Sequence, residues 1–161
     1  MIGTIISLVL LIRRASRPHV ALLGRIPDTG RFSDRGRHPD NELIPGVMIF
    51  RPESGLMYFN MDHVRDTIVD RVRGETTAPK LVVLDLSAPP RVDMHGAQML
   101  GSVADELTAS GIQLQVVEAR SSVRERLRTE GVEARPGGID RFTTVADAVD
   151  SFQKTRAGPA S

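Results

Sequence analysis

The 161-residue sequence has no cysteine and no tryptophan, one tyrosine, five phenylalanines and two lysines, Lys80 and Lys154. Without thiols there can be no disulfide, thiolate zinc site, iron–sulfur cluster or cysteine nucleophile, which suits a cytosolic setting. Motifs that carry chemistry are missing as well. The chain has no G-x-S-x-G, no P-loop G-x-x-x-x-G-K-[ST], no G-x-G-x-x-G and no H-E-x-x-H. Its four histidines, His19, His38, His63 and His95, fall in separate segments without ligand spacing, so no metal site is expected. Asp62 and His63 are neighbours on a predicted helix and do not face each other. No nucleophile is paired with a recognisable base, so neither a catalytic residue nor a cofactor is expected.

The chain does have an uneven charge distribution. Residues 1–37 carry seven arginines (13, 14, 17, 25, 31, 35 and 37) against Asp28 and Asp34, a net +5. Residues 38–161 carry fourteen basic and eighteen acidic residues, a net −4. A basic N-terminal stretch thus joins a mildly acidic domain. Nucleic-acid binding would want the positive charge on the folded part, with aromatics or a recognition helix, and is not expected.

The run "MIGTIISLVLLI" is apolar and is followed at once by "RRASR". As a helix its twelve residues reach about 18 Å, short of the roughly 30 Å hydrocarbon core, so they do not span a bilayer alone. A secretory signal has the reverse order, with basic residues first. Apolar then Arg-rich is the pattern of the cytoplasmic end of a membrane helix. Residues 1–17 are therefore expected to be such an end with its basic exit, and Met1 to fall partway through a longer polytopic chain. The other reading is a short amphipathic or core helix, although the run has no polar face. Arg13, Arg14 and Arg17 suit anionic headgroups, at about 1 kcal/mol each near the surface.

Residues 18–45, rich in Gly, Pro, Arg and Asp, show neither period and predict a linker or arm. Residues 46–156 read as the folded domain, with 157–161 as a tail. "GVMIFRP" and "LMYFN", separated by "ESG", predict a β-hairpin, and Asn60 is placed to cap the helix "MDHVRDTIVDRVRG". "KLVVLDLS" predicts a central strand covered on both faces, and Met94 to Ser110 a helix with Ala97, Leu100, Ala104 and Leu107 on one side. A strand over "IQLQVVEA" and a helix over "SSVRERLRTEG" follow. "FTTVADAVDSFQK" predicts a last helix with Thr144 and Asp147 as a capping box. The order β-β-α-β-α-β-α-(β)-α implies an α/β fold, with a mixed sheet of four to five strands and about four packed helices behind the short apolar helix.

The strand-to-helix junction "LDLSAPPRVDMHGAQML" holds the candidate site. Asp85 lies near the carboxyl end of the strand, where α/β sheets tend to bind ligands. Asp93 is a good N-cap, and the amides around His95, Gly96 and Ala97 point out of a helix terminus that favours an anion. Two readings stay open: an anion, ligand or partner contact at Asp85, Asp93, His95 and Gly96, or a cap that satisfies its own helix with nothing bound.

At this junction the chain resembles a STAS domain, the fold of bacterial anti-sigma factor antagonists and of the cytoplasmic C-terminal part of SulP-type anion transporters. In the antagonists "D-S-S-G" or "D-S-T-G" opens the helix, and its second hydroxyl is phosphorylated by a partner kinase. The matching residues here are Asp93, Met94, His95 and Gly96, so Asp and Gly are kept and both hydroxyls are lost. Ser87 lies too early in the loop to substitute. The segments "RRASRPHVALLGRIPDTGRF" and "HPDNELIPGVMIFRPESGLMYFNMDHV" resemble the connection from the last SulP membrane helix to its STAS domain.

The resemblance implies a regulatory and assembly module of a secondary transporter of sulfate, bicarbonate or dicarboxylate, at the cytoplasmic face of the inner membrane and unable to transport alone. Implied partners are the transporter's own membrane domain, a second copy in the full-length protein, the membrane surface through the N-terminus, and a nucleotide or regulatory protein. The competing expectation is a free-standing antagonist in a partner-switching pathway. For that reading, phosphate on Ser87, Ser121 or Ser122 would be the mark.

Overall fold

The computed structural model describes residues 2–134, 137–139 and 143–157. Helix α1 (Ile2–Ser16) leads into strands β1 (Val20–Arg25), β2 (Phe32–Asp34) and β3 (Val47–Pro52). Helix α2 (Met61–Gly74), strand β4 (Leu81–Asp85), helix α3 (Met94–Ala109) and strand β5 (Gln113–Val117) follow. Helix α4 (Ser121–Thr129), a 3-10 turn at Val132–Ala134 and helix α5 (Val145–Ala157) complete the order. The five strands form one mixed sheet in the order β2-β1-β3-β4-β5. β3, β4 and β5 are parallel, and β1 is antiparallel to both β3 and β2.

The near-continuous apolar runs of β3 and β4 divide by alternation between two layers. Met48, Phe50, Val82 and Leu84 face one core, with α2, α3 and α4 laid over it through Val64, Ile68, Leu100, Val103, Val123 and Leu127. Val47, Ile49, Leu81 and Val83 face the other, where α5 contributes Val145, Ala148 and Val149. A strand covered on both faces needs apolar residues at every position, which is why "LVVLD" carries no amphipathic signal.

The expected α/β class, mixed sheet, packed helices and N-terminal apolar helix are all present. Expectations about the strands are corrected. Residues 18–45 contain two strands: β1 pairs with β3 through Val20–Pro52, Ala21–Arg51 and Leu22–Phe50, and β2 lies beyond it at the sheet edge. "LMYFN" is a loop, so there is no hairpin with β3. Leu56 is fully buried and makes a single parallel bridge to Val92, while the neighbours of β3 are β1 and β4. Where the late bracketed strand is expected, the described residues make one bridge, Val116–Ile139.

Asn60 stands at the N-cap of α2, but its side chain does not cap that helix. Its Oδ1 accepts from the Met57 amide at 3.0 Å and its Nδ2 donates to the Gly55 carbonyl at 3.0 Å, so it ties the preceding loop together. By contrast α5 has the expected box: the Thr144 amide donates to Asp147 Oδ2 at 2.9 Å, and the Asp147 amide to Thr144 Oγ1 at 3.1 Å. The start of that predicted helix, Phe142, lies outside the described residues.

Candidate functional site

β4 delivers Asp85 to the sheet's carboxyl edge, and the loop 86–93 then crosses to the start of α3. Asp85 is buried. Its Oδ1 accepts from the Ser87 amide at 2.9 Å, which tightens the turn out of the strand. Its Oδ2 lies 4.0 Å from Nη1 of Arg51, the residue one step beyond the Phe50–Leu84 pair in the parallel register. Arg51 is held in turn by Glu53, Nε to Oε1 at 3.1 Å. Burying a carboxylate is costly unless it is paired and hydrogen-bonded in this way.

Asp93 has different partners. Its Oδ1 accepts from the Gly96 amide at 2.7 Å, the N-cap bond, and its Oδ2 accepts from the Tyr58 amide at 2.9 Å. Around it the loop 53–60 is clipped to the loop 86–93. The Leu56 amide donates to the Arg91 carbonyl at 2.9 Å and the Asp93 amide donates to the Leu56 carbonyl at 3.0 Å. Gly96 lies directly beneath this clip, where a Cβ would stand 2.5 Å from the Leu56 carbonyl oxygen. Its conservation of space, rather than backbone freedom, explains a glycine inside the first turn of a helix.

His95 is exposed and without a hydrogen-bond partner among the described residues. Met94 beside it is 46% exposed, and across the clip Tyr58 and Phe59 are 69% and 45% exposed. A hollow of about 310 Å³ on the α4 side is bordered by Arg91, Asp93, Ser122 and Arg126. Among the described residues no three His, Asp or Glu side chains converge as metal ligands.

The junction therefore brings Asp93 and Gly96 into one structural unit, gives Asp85 separate partners and leaves His95 facing solvent. Both carboxylate oxygens of Asp93 are taken, so an added anion at this terminus would meet a charge already seated there. Sequence reasoning missed Leu56 and Tyr58, which complete the Asp93 unit, and Arg51, which partners Asp85, all from more than 30 residues away in the chain. No local pattern signals them, since Leu56 and Tyr58 act through backbone groups and Arg51 through strand register.

The N-terminal arginines lie at the end of α1. Arg13 and Arg14 are in the last turn of α1 and Arg17 follows it, all exposed. No residue of α1 is buried, and its apolar side chains cover the helix all round. Its fifteen residues correspond to about 22 Å, and no helix among the described residues is long and apolar enough to cross a membrane.

Pro18 ends α1, and beyond it His19 Nε2 lies 2.9 Å from Oδ2 of buried Asp34. The Gly36 amide donates to Asp34 Oδ1 at 2.8 Å, and Arg37 Nε is 3.7 Å away. Burial alone would raise the Asp34 carboxyl; the His19 and Gly36 hydrogen bonds and the nearby positive charges outweigh it and hold the group below the ordinary carboxylate range.

The sequence matches the STAS domain family over residues 38–148. It is 30% identical over 163 residues to a probable sulfate transporter 3.5 of Arabidopsis thaliana, covering 98% of this chain and 26% of that protein. Among solved structures, the murine Solute Carrier 26 family member A9 anion transporter, in its inward-facing state, superposes with a TM-score of 0.79 at 20% identity. That match covers 94% of this chain and 25% of the transporter. The STAS domain of a SulP transporter from Vibrio cholerae gives 0.60 at 18% identity, over 76% of this chain and 93% of that domain. The chain spans about a quarter of the length of the transporter from Arabidopsis thaliana.

Proposed function

The chain belongs to the STAS domain family, and on that footing we propose that it is the regulatory and assembly module of a SulP-type secondary anion transporter. Its place is the cytoplasmic face of the inner membrane, against the membrane domain of its own transporter, and the transported anion is of the sulfate, bicarbonate or dicarboxylate class. Transport chemistry belongs to the membrane domain in this reading. The present residues bind, brace and pair subunits, and carry out no reaction themselves.

The observation that carries this reading is α1. A helix with Ile5, Leu8, Leu10, Leu11 and Ile12 all about half exposed or more has no reason to stay in water. Its basic end fits the exit of a membrane helix on the cytoplasmic side. The junction built on Asp93 then acts as a rigid contact surface, with Tyr58, Phe59 and Met94 as its exposed apolar members. Kinase-controlled partner switching has less to support it, since Met94 and His95 stand where that mechanism needs hydroxyls.

Two measurements test the proposal. In-frame translation of the DNA upstream of Met1 is expected to yield a series of membrane helices, and fractionation of the source cells should recover the protein in alkaline-washed membranes. A ribosome-binding site directly before Met1, together with a wholly soluble protein, would overturn it.

A further inference from the structure

A second feature of the entry segment concerns the groove between the end of α1 and the loop 53–60. This cavity of about 640 Å³ is lined by Leu11, Arg14, Arg17, His19, Arg37 and Phe59, among others. Its cations come from three places in the chain: the last turn of α1, the residue after it, and the turn following β2. Arg14 and Arg17 have no carboxylate within salt-bridge distance among the described residues. The nearby acidic groups are already engaged, Glu53 by Arg51 at 3.1 Å and Asp34 chiefly by His19 at 2.9 Å, with Arg37 Nε farther off at 3.7 Å and its remaining donors turned to no other carboxylate among the described residues. The carboxyl end of α1 adds a partial negative charge of about half a unit, which three guanidinium groups exceed.

We propose that this groove binds the phosphate headgroup of an anionic membrane lipid, with Arg14, Arg17 and Arg37 as the phosphate-contacting residues. Guanidinium groups take phosphate oxygens in pairs, and a phosphomonoester offers more oxygens and more charge than a phosphodiester. The apolar members argue for a lipid over a free anion. Leu11 and Phe59 are 65% and 45% exposed, and Leu11 is continuous with the apolar surface of α1. With α1 in the membrane, the groove lies at headgroup depth, a residue or two below the last apolar turn. The inference rests on the membrane reading above and extends it from general basic attraction to a shaped site that includes Arg37, which is not on the helix.

The test is vesicle co-sedimentation of the purified full chain. Phosphatidylcholine vesicles carrying phosphatidylserine are compared with vesicles carrying phosphatidic acid at matched total surface charge. The expected result is tighter binding to phosphatidic acid, with Arg37→Gln losing about fivefold on those vesicles and little on phosphatidylserine. Arg31→Gln removes an equal charge from the exposed β1–β2 turn outside the groove and should change neither. Arg37 is 74% exposed but lies 3.7 Å from Asp34, so its melting curve is compared with the parent's before binding is read, and Arg17→Gln, at a residue with no carboxylate partner among the described residues, provides a second measurement of the same site.

Equal binding to both lipids at matched charge, with Arg37→Gln and Arg31→Gln alike, overturns the groove proposal and leaves the membrane reading intact. No binding to any vesicle overturns that reading itself. Inorganic phosphate that raises the melting temperature in an Arg37-dependent way and displaces phosphatidic acid would overturn the lipid as ligand in favour of a soluble phosphate.

Discussion

At the scale of single residues, His95 and Gly96 are adjacent and opposite in consequence. The His95 side chain is exposed and in no hydrogen bond or ion pair among the described residues, so His95→Ser is expected to change unfolding free energy by less than about 0.5 kcal/mol in a urea titration. Gly96→Ala puts a methyl group 2.5 Å from a backbone oxygen that is itself pinned by the Asp93 amide. Backbone on both sides must move, and the same titration should show a loss of about 1–3 kcal/mol. Asp34 offers a pH signature. Its carboxyl is held below its ordinary value of 3.8, so the ionised group stabilises the fold above about pH 4, and that contribution is lost as the pH falls through the lowered folded value. Asp34→Asn should therefore be less stable than the parent at pH 7 by about 1–3 kcal/mol, with the gap closing as the pH falls through that lowered value.

Among the elements, those with a dense local signal were legible in the sequence. β4 and α3 announce themselves through "LVVLD", the Asp93 cap and the 3.6-residue spacing of Ala97, Leu100, Ala104 and Leu107. β1 was not legible, because six residues between a proline and a turn leave no room for a period to establish itself. "LMYFN" misled for a related reason: β-prone residues mark contact with a core, and here Leu56 fills the core from a loop while Tyr58 and Phe59 stay outside. At the site, Asp93 and Gly96 were found by their cap pattern. Their partners at Leu56 and Tyr58, and that of Asp85 at Arg51, depend on tertiary register that no local pattern encodes. Helix α1 is the element with least stake in the fold. With no buried residue and, among the described residues, one long hydrogen bond to the domain, from Asn60 Nδ2 to the Ala15 carbonyl at 3.5 Å, it contributes little to stability. A chain starting at Pro18 should melt within about 2 °C of the full chain and remain monodisperse without detergent on size exclusion. A melting temperature well below that range would mean that α1 packs on the domain.

For the molecule as a whole, the family match and the sheet disagree about where the domain starts. The match opens at residue 38, whereas the sheet includes Val20 to Asp34. Burial decides between them. Val20, Ala21 and Leu23 are 3%, 0% and 2% exposed, Val20 in the core under α2 and α3 and the other two in the core under α5, so β1 supplies apolar contacts to both layers. Burying Val20 and Leu23 contributes about 1.5–3 kcal/mol each, against the 5–15 kcal/mol by which domains are typically stable. β1 also covers the edge of β3, and the Glu53 amide donates to the His19 carbonyl at 3.0 Å, which anchors the loop that clips onto α3. Starting the chain at His38 removes the core contacts, bares a hydrophobic strand edge and frees the loop on which the junction rests. Such a chain should fail to give a cooperative thermal transition or should aggregate on size exclusion, while the chain starting at Pro18 folds. A cooperative, monomeric domain from His38 would mean that β1 is an accessory to the sheet, and that the Asp93 clip holds without support from the entry segment.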